Sequence, residues 1–452
     1  MTISRLLVAN RGEIAVRVIR AAREMGIETV QAVSKVDHDM LAAKLADEKI
    51  EIGPPQATKS YLKQDALVQA ALTTHCDAVH PGYGFLAENA DFARAVTDAG
   101  LVFIGPSAAT IKCMGDKAAA RAIADEVGVA TVPGSAGRIG AADVDELVEK
   151  IGVPIMIKAA AGGGGRGIRV ANTKEEFRAM MPLASAEAAA AFGDGGLYLE
   201  RFIPRARHIE VQIIGDGENV THIFERECSV QRRRQKIWEE APAACLREEE
   251  RESVCTAAVK IAKHVSYKGA GTIEFLFDDE TREFFFIEMN TRIQVEHPVS
   301  EMITGIDIVK EMIKVAGGSS LTIAQGDVTR RGHAIECRIN AEDPTNNFRP
   351  APGEIQKLVV PQGEHVRFDC GIYEGYTVPP FYDSLLGKLV VWGGTRDEAL
   401  VRLEKALAQM SVEGIPTTIA LHQALVGDPE VRMGRVHTRW LEQWLEHHQR
   451  VA

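Results

Sequence analysis

No GxxxxGK[ST] segment, no CxxC pair and no apolar run approaching the roughly 20 residues of a membrane span occurs in this chain. The first absence excludes a P-loop nucleotidase as far as motif can exclude it. The seven cysteines, scattered from Cys76 to Cys370, are odd in number; they suit reduced thiols in a cytoplasmic protein rather than a disulfide framework. At the N-terminus the apolar stretch after Arg5 is only Leu6 to Ala9, so neither a signal peptide nor a membrane segment is expected. Positive charge is also in short supply. Lys and Arg number 52 against 63 Asp and Glu, a net charge of −11 that argues against duplex nucleic acid as the main partner. The run Arg232 to Arg234 with Lys236 is therefore a local feature, either a solvated strand edge or an anion pocket. What is abundant is hydrophobic residues, 46% of 452, enough for about two to four domain cores.

The segment 283–298, EFFFIEMNTRIQVEHP, organises the rest. Phe and Ile without Gly or Pro predict a buried strand from Glu283 to Asn290, preceded by a second strand from Thr272 to Phe277. A hairpin centred near residue 280 places Glu274 and Glu288 on one sheet face with Asn290, and Arg292 too if the extended run continues. Two carboxylates that close are costly unless a cation lies between them. Oxygen donors of this kind suit Mg²⁺. The alternative is an amphipathic hairpin with its charges in water, but Glu288 sits inside an apolar run, where an unpaired charge is expensive. Arg292, Gln294, Glu296 and His297 follow as a polar cluster closed by Pro298.

From the start, apolar strands and helical periods alternate: strand Ile3 to Ala9, helix to about Met25, strand Thr29 to Val33, then helix 62–74, strand 77–79, helix 86–99 and strand 101–104. This predicts a doubly wound parallel sheet over 1–115, with ligand-facing turns at 80–89 (HPGYGFLAEN) and 103–107. Tyr83 and Glu88 carry the functional groups there. Lys117 opens a helix, an unfavourable place for a cation unless an anion is near. In VPIMIKAAAGGGGRGIRV, 153–170, the glycines are followed by an alternating strand and not a helix. A dinucleotide fingerprint is thereby excluded, and a glycine flap between two strands, with Lys158 entering it, is predicted to fold over phosphates. Cys228 beside the basic run reads as a buried bystander rather than a reactive thiol.

Taken together, the motifs HPGYGFLAEN, MGDK, KAAAGGGGRGIRV, RHIEVQ, QRRRQK, EEAP, EFLF, EMNTRIQVEHPV, ECRINAEDP and YTVPPFYDSLLGK stand in one order over residues 3–446. In that order the chain resembles the biotin carboxylase family of the ATP-grasp superfamily. The resemblance implies an α/β fold, α+β overall: a Rossmann-like N-terminal domain (1–115), an ATP-grasp domain (116–330, with a mobile lid at about 131–204) and a β-rich C-terminal domain (331–446). It implies ATP contacts at Lys117, Lys158, Gly163, Gly164, Gly165, Gly167, Glu200, Ile203, His208, Glu274 and Glu288. Mg²⁺ or Mn²⁺ is implied at Glu274, Glu288 and Asn290. Bicarbonate is implied at Lys236, Arg292, Gln294, Val295 and Glu296, and biotin at Tyr83 and Arg338. The catalytic set implied is Glu296 as base, Arg292 and Lys236 on the anion, and Arg338 on the biotin enolate, with carboxyphosphate as intermediate.

The resemblance further implies biotin borne on a separate biotin carboxyl carrier protein, since no AMKM-type sequence occurs. Carboxyltransferase subunits and a homodimer, with Arg20, Glu24 and Arg367 at its contact, complete the expected assembly, that of acetyl-CoA carboxylase in fatty acid synthesis. Neither nucleic acid nor membrane is expected as a partner. Another acyl-CoA, pyruvate or 2-oxo acid acceptor is the alternative. An ATP-grasp carboxylate–amine ligase would share the lysines and acids without needing RIQVEHP and Arg338, and a nucleotide-binding regulatory module would not need Glu296.

Overall fold

The computed structural model describes residues 3–135, 148–149, 151–159, 168–192 and 195–449. Backbone packing divides the chain into two compact units, one of Met1–Val129, Arg207–Phe275 and Glu288–Ala452, the other of Ala130–Ala206 and Leu276–Ile287.

In the first unit the N-terminal strands β1 (Arg5–Val8), β2 (Glu28–Ser34), β3 (Glu48–Gly53), β4 (Ala78–His80) and β5 (Val102–Phe103) form a parallel sheet of order β3-β2-β1-β4-β5. Alternate residues feed opposite faces: Leu7, Val30, Ala32 and Val79 join one core, while Leu6, Val8, Val33 and Ala78 join the other. That two-sided burial is what an all-parallel sheet requires. β3 has no counterpart in the sequence reading, because its EKIEIG alternates charge with a single buried Ile52 and carries little apolar signal.

The second unit holds an antiparallel sheet of β6 (Ile155–Ala159), β7 (Ile168–Ala171) and β8 (Leu197–Arg201), in the order β7-β6-β8. Helix Lys174–Phe192 packs Phe177, Ala184 and Ala188 onto it. The strand–glycines–strand order expected at 153–170 is present in β6 and β7; Gly163, Gly164, Gly165 and Gly167 lie outside the described residues.

The body of the first unit is an eight-stranded sheet. It runs β13 (Phe284–Asn290), β12 (Lys268–Asp278), β9 (Ala206–Asp216), β10 (Val220–Arg232), β11 (Gln235–Ala241), β14 (His333–Asn340), then the strands Leu385–Gly393 and Val366–Cys370. The hairpin tip within β12 and β13, Leu276–Ile287, belongs to the second unit. C-terminal strands thus extend the sheet begun by β9 to β13, through antiparallel pairing of β11 with β14. Helices Arg396–Gln409 and Ile419–Gly427 cover one face of β14 and its neighbour, and helix His297–Thr304 covers the other. Among the described residues no helix is long and apolar enough to cross a membrane.

Candidate functional site

The β10–β11 turn places Arg233 and Arg234 at φ 47° and 67°, the left-handed pair that matches the twist of a tight hairpin. It delivers Lys236 into the body, where the side chain is 13% exposed. The ammonium there donates to four residues: Glu210, Glu274 at 2.9 Å, Glu296 at 2.8 Å and Gln294 at 3.2 Å. Burial alone would strip its proton, but the carboxylates of Glu210, Glu274 and Glu296 more than offset that and hold Lys236 well above its ordinary value.

Glu296 ends the loop after β13, one residue before the helix His297–Thr304, which carries Pro298 in its first turn. Its second oxygen accepts from Arg338 at 2.9 Å, and Arg338 also donates to Glu239 at 2.6 Å. Burial pushes the Glu296 carboxyl up, yet the charges of Lys236, Arg338 and Arg226 overcome it and keep the group ionised far below the usual range. Beneath lies Arg226, wholly buried and bonded to Glu210, Gln212, Thr272 and Ser300. It fixes the strands that carry the cluster.

At the hairpin, one oxygen of Glu274 accepts from Lys236, Asn290 and Gln294, each at 2.9 Å. These contacts put Glu274 and Asn290 on one face, as the strand parity predicts. The other Glu274 oxygen lies 3.2 Å from His208. Glu288 is far more open, its side chain 41% exposed and 4.0 Å from Lys117. Partial burial and the neighbouring Glu274 charge both push its carboxyl up. Two repelling carboxylates, one with an oxygen not taken by a strong donor, fit a hard divalent cation. Asn290 lies beside them, its amide nitrogen donating to Glu274 and its amide oxygen accepting from Arg292 at 3.0 Å. His208, Glu210 and Glu274 form a second oxygen–nitrogen set whose donor atoms lie within 4.8 Å of one another, but Lys236 and Arg226 already neutralise Glu210.

Arg292 departs from the expected strand continuation. β13 ends at Asn290, and the guanidinium turns to Glu88 at 2.8 Å. Val295 offers its carbonyl to Lys388 at 2.8 Å, and Lys388, wholly buried, pairs with Glu13 at 3.0 Å. Tyr83 donates to that same Glu13. Tyr83 owes its place to the turn before it: Asn10 donates to the carbonyls of Pro81 and Tyr83, both at 2.7 Å, and a Cβ on Gly82 would come within 2.8 Å of that amide. Lys117 starts a helix capped by Asp116, its charge 84% exposed.

Lys158, Glu200 and Ile203 belong to the second unit. There Lys158 pairs with Glu200, while Ile203 is buried with Val132, Ala206 and Phe285. Cys228 is wholly buried, and burial pushes its thiol well up, as befits a bystander. Glu24 pairs with Lys310, and Arg367 with Glu301 and Asp369, all within the chain.

Sequence reading missed Glu210, Arg226, Glu239, Lys388 and Glu13. Strand alternation from His208 points to Glu210, and a lysine inside the apolar run LLGKLVV points to Lys388. Glu239 opens the EEAP motif without a role assigned to it, and nothing in the order of residues marks Glu13.

Three family models match the chain: "Biotin carboxylase, N-terminal domain" over residues 2–111, "Carbamoyl-phosphate synthase L chain, ATP binding domain" over 116–324 and "Biotin carboxylase C-terminal domain" over 336–443. The chain is 50% identical to a biotin carboxylase of Nostoc sp. over 98% of its own length and 99% of the relative's. It is 46% identical to a pyruvate carboxylase subunit of Methanothermobacter thermautotrophicus, covering 98% and 90%. A solved structure of the biotin carboxylase domain dimer of Hydrogenobacter thermophilus 2-oxoglutarate carboxylase, in complex with MgADP, ADP and bicarbonate, is 45% identical over 99% of both chains, with a TM-score of 0.90. On these matches the chain belongs to the biotin carboxylase family of ATP-dependent ligases.

Proposed function

We propose that this chain carboxylates biotin with bicarbonate at the expense of ATP, on a separate biotin carboxyl carrier protein, as the first half-reaction of acetyl-CoA carboxylase. The observation that carries this reading is Glu296, one carboxylate held between Lys236 and Arg338. A small oxyanion entering there competes for both cations. As they turn to the anion, Glu296 loses the charges that depress it and becomes a base for the bicarbonate proton. Lys236, Gln294 and Arg292 hold the anion, with Val295 completing the loop, so that it can be phosphorylated to carboxyphosphate. Arg338 then faces the ureido oxyanion of biotin, with Tyr83 beside the same ring.

Glu274 and Glu288, with Asn290 beside Glu274, would hold Mg²⁺ or Mn²⁺, which would supply charge neutralisation at the transferring phosphate. For ATP we assign Lys117 and His208 in the first unit, and Lys158, Glu200, Ile203 and the glycines 163, 164, 165 and 167 by residue correspondence. The three-domain division at 1–115, 116–330 and 331–446 is likewise our assignment, supported by the ranges of the three family models. We also assign a homodimer working with carboxyltransferase subunits in the cytoplasm, in keeping with seven free cysteines. The pyruvate and 2-oxoglutarate carboxylase relatives favour a second reading, the same half-reaction feeding another acceptor.

The test is transfer of ¹⁴C from bicarbonate to candidate carrier proteins, together with ATP hydrolysis that requires bicarbonate and rises with free biotin. Bicarbonate-independent hydrolysis would reject the reading. The carboxyltransferase that co-purifies decides the acceptor.

A further inference from the structure

Glu239 on β11 and Glu336 on β14 stand directly opposite each other in the antiparallel register, and both are wholly buried. Like charges in that arrangement repel, and a buried carboxylate without a partner is costly. Glu239 has one compensating contact, to Arg338 at 2.6 Å. Its other oxygen and both oxygens of Glu336 find no hydrogen-bond partner among the described residues.

The cations around the pair cannot neutralise two charges. Arg338 is shared with Glu296, and Lys236 is committed to Glu210, Glu274 and Glu296. Lys388, on the strand beyond β14, is engaged by Glu13 and the Val295 carbonyl, with Asp369 opposite it in register. His297, on the helix covering this face, is held neutral by burial and by the cations Lys388, Arg17 and Arg367. Burial lifts Glu239 to about 7, and lifts Glu336 well above the carboxylate range.

We propose that Glu239 and Glu336 work as a pair carrying a single negative charge, Glu336 keeping its proton so that ionised Glu239 can position Arg338 toward Glu296. This rests on the biotin carboxylase reading. Glu336 is a positioning residue and touches no substrate. The single charge on Glu239 fixes the guanidinium at its Nε edge and leaves the NH2 edge to the reacting side. A second charge, appearing when Glu336 ionises, would draw Arg338 back and cancel its field where the biotin oxyanion forms. Turnover should therefore carry an alkaline limb that belongs to the pair.

The experiment is the pH profile of bicarbonate-dependent ATP turnover in the full chain and two variants. Glu336→Gln cannot ionise, so the alkaline limb of kcat should move up by more than about one pH unit, with the KM for bicarbonate changed less than kcat. Glu239→Gln removes the like charge that keeps Glu336 protonated, so Glu336 should ionise at lower pH and the limb should move down, and kcat should fall as well because Arg338 loses its Nε partner. A limb unmoved in either variant overturns the proposal. Should neither variant fold, the infrared spectrum of the unsubstituted protein decides. A protonated-carboxyl band present at neutral pH must fade along the same limb, and its absence overturns the pair. If the unsubstituted protein shows no bicarbonate-dependent turnover, the functional reading has failed, and the infrared difference between it and Glu336→Gln still tells whether Glu336 holds its proton, since buried Glu13 and Glu225 are also pushed up and contribute to the band.

Discussion

Glu296 in the loop after β13 and His80 at the end of β4 are buried alike, 1% and 0% exposed, yet one keeps its charge and the other sheds it. Glu296 has Lys236 at 2.8 Å and Arg338 at 2.9 Å. His80 has a backbone N–H, from Gly82 at 3.0 Å, donating to its Nδ1. Burial, aided by the charge of Arg17, pulls His80 down to about 3. Burial sets the cost of a charge at both places, and the neighbours decide whether the cost is met. The corner around Glu296 is one where charges are concentrated and balanced, as the proposed handling of a small anion requires.

The sharpest break of that balance is Glu296→Gln. Losing the base should lower bicarbonate-dependent turnover by about 10² to 10⁴-fold, while nucleotide binding measured by calorimetry stays within a factor of about two. Turnover comparable to that of the unsubstituted enzyme would remove Glu296 from the role of base. Next is Lys236→Met, which leaves Glu210, Glu274 and Glu296 facing one another with less positive charge. Removing one partner of a buried ionic cluster costs about 3–5 kcal/mol, to be read from urea unfolding. Adding Glu296→Gln to Lys236→Met should recover part of that loss, and no recovery would mean the two groups are not coupled. Asn290→Ala is milder. It frees Glu274 from one of its orienting donors, and the Mg²⁺ concentration supporting half-maximal turnover should rise about 10- to 100-fold.

How much of this was legible beforehand depends on the kind of signal. The parallel N-terminal sheet was readable because β1, β2 and β4 are short apolar runs separated by helical periods, whereas β3 was not, since EKIEIG buries a single Ile52. The grouping of Glu274 with Asn290 followed from strand parity, and the structure joins them through a hydrogen bond. Arg292 joins that face only if the extended run continues, and it does not: the strand stops at Asn290 and Glu88 captures the guanidinium. Glu239 and Glu336 open the EEAP and ECRINAEDP motifs, but nothing in either motif shows that the two face each other. Their meaning comes from a register between strands almost a hundred residues apart in sequence, and register is set by the whole sheet rather than by either strand. Where a charge was expected to be locked away, at Glu288, the side chain proved half-open, because it sits at the edge strand of the sheet.

The other side of the comparison yields the smallest effect and a definite sign. His80 falls from an ordinary 6.5 to about 3 in the folded chain, so the unfolded chain binds this proton more tightly. Its contribution to stability is therefore complete above about pH 6.5 and is lost progressively as pH falls toward 3, since protons pull the equilibrium toward the state that accepts them. At pH 5 the loss assigned to His80 is about 2 kcal/mol. His422, buried and lowered to about 4, acts in the same direction, so the unsubstituted curve alone does not isolate the residue. The difference between the unsubstituted protein and His80→Gln does. Whatever the substitution costs at pH 7.5, that cost should shrink by about 2 kcal/mol at pH 5 in urea titrations. A gap that stays constant across this range would mean His80 is already protonated when folded, with a partner for its charge. The end of β4 would then balance charge as the loop around Glu296 does.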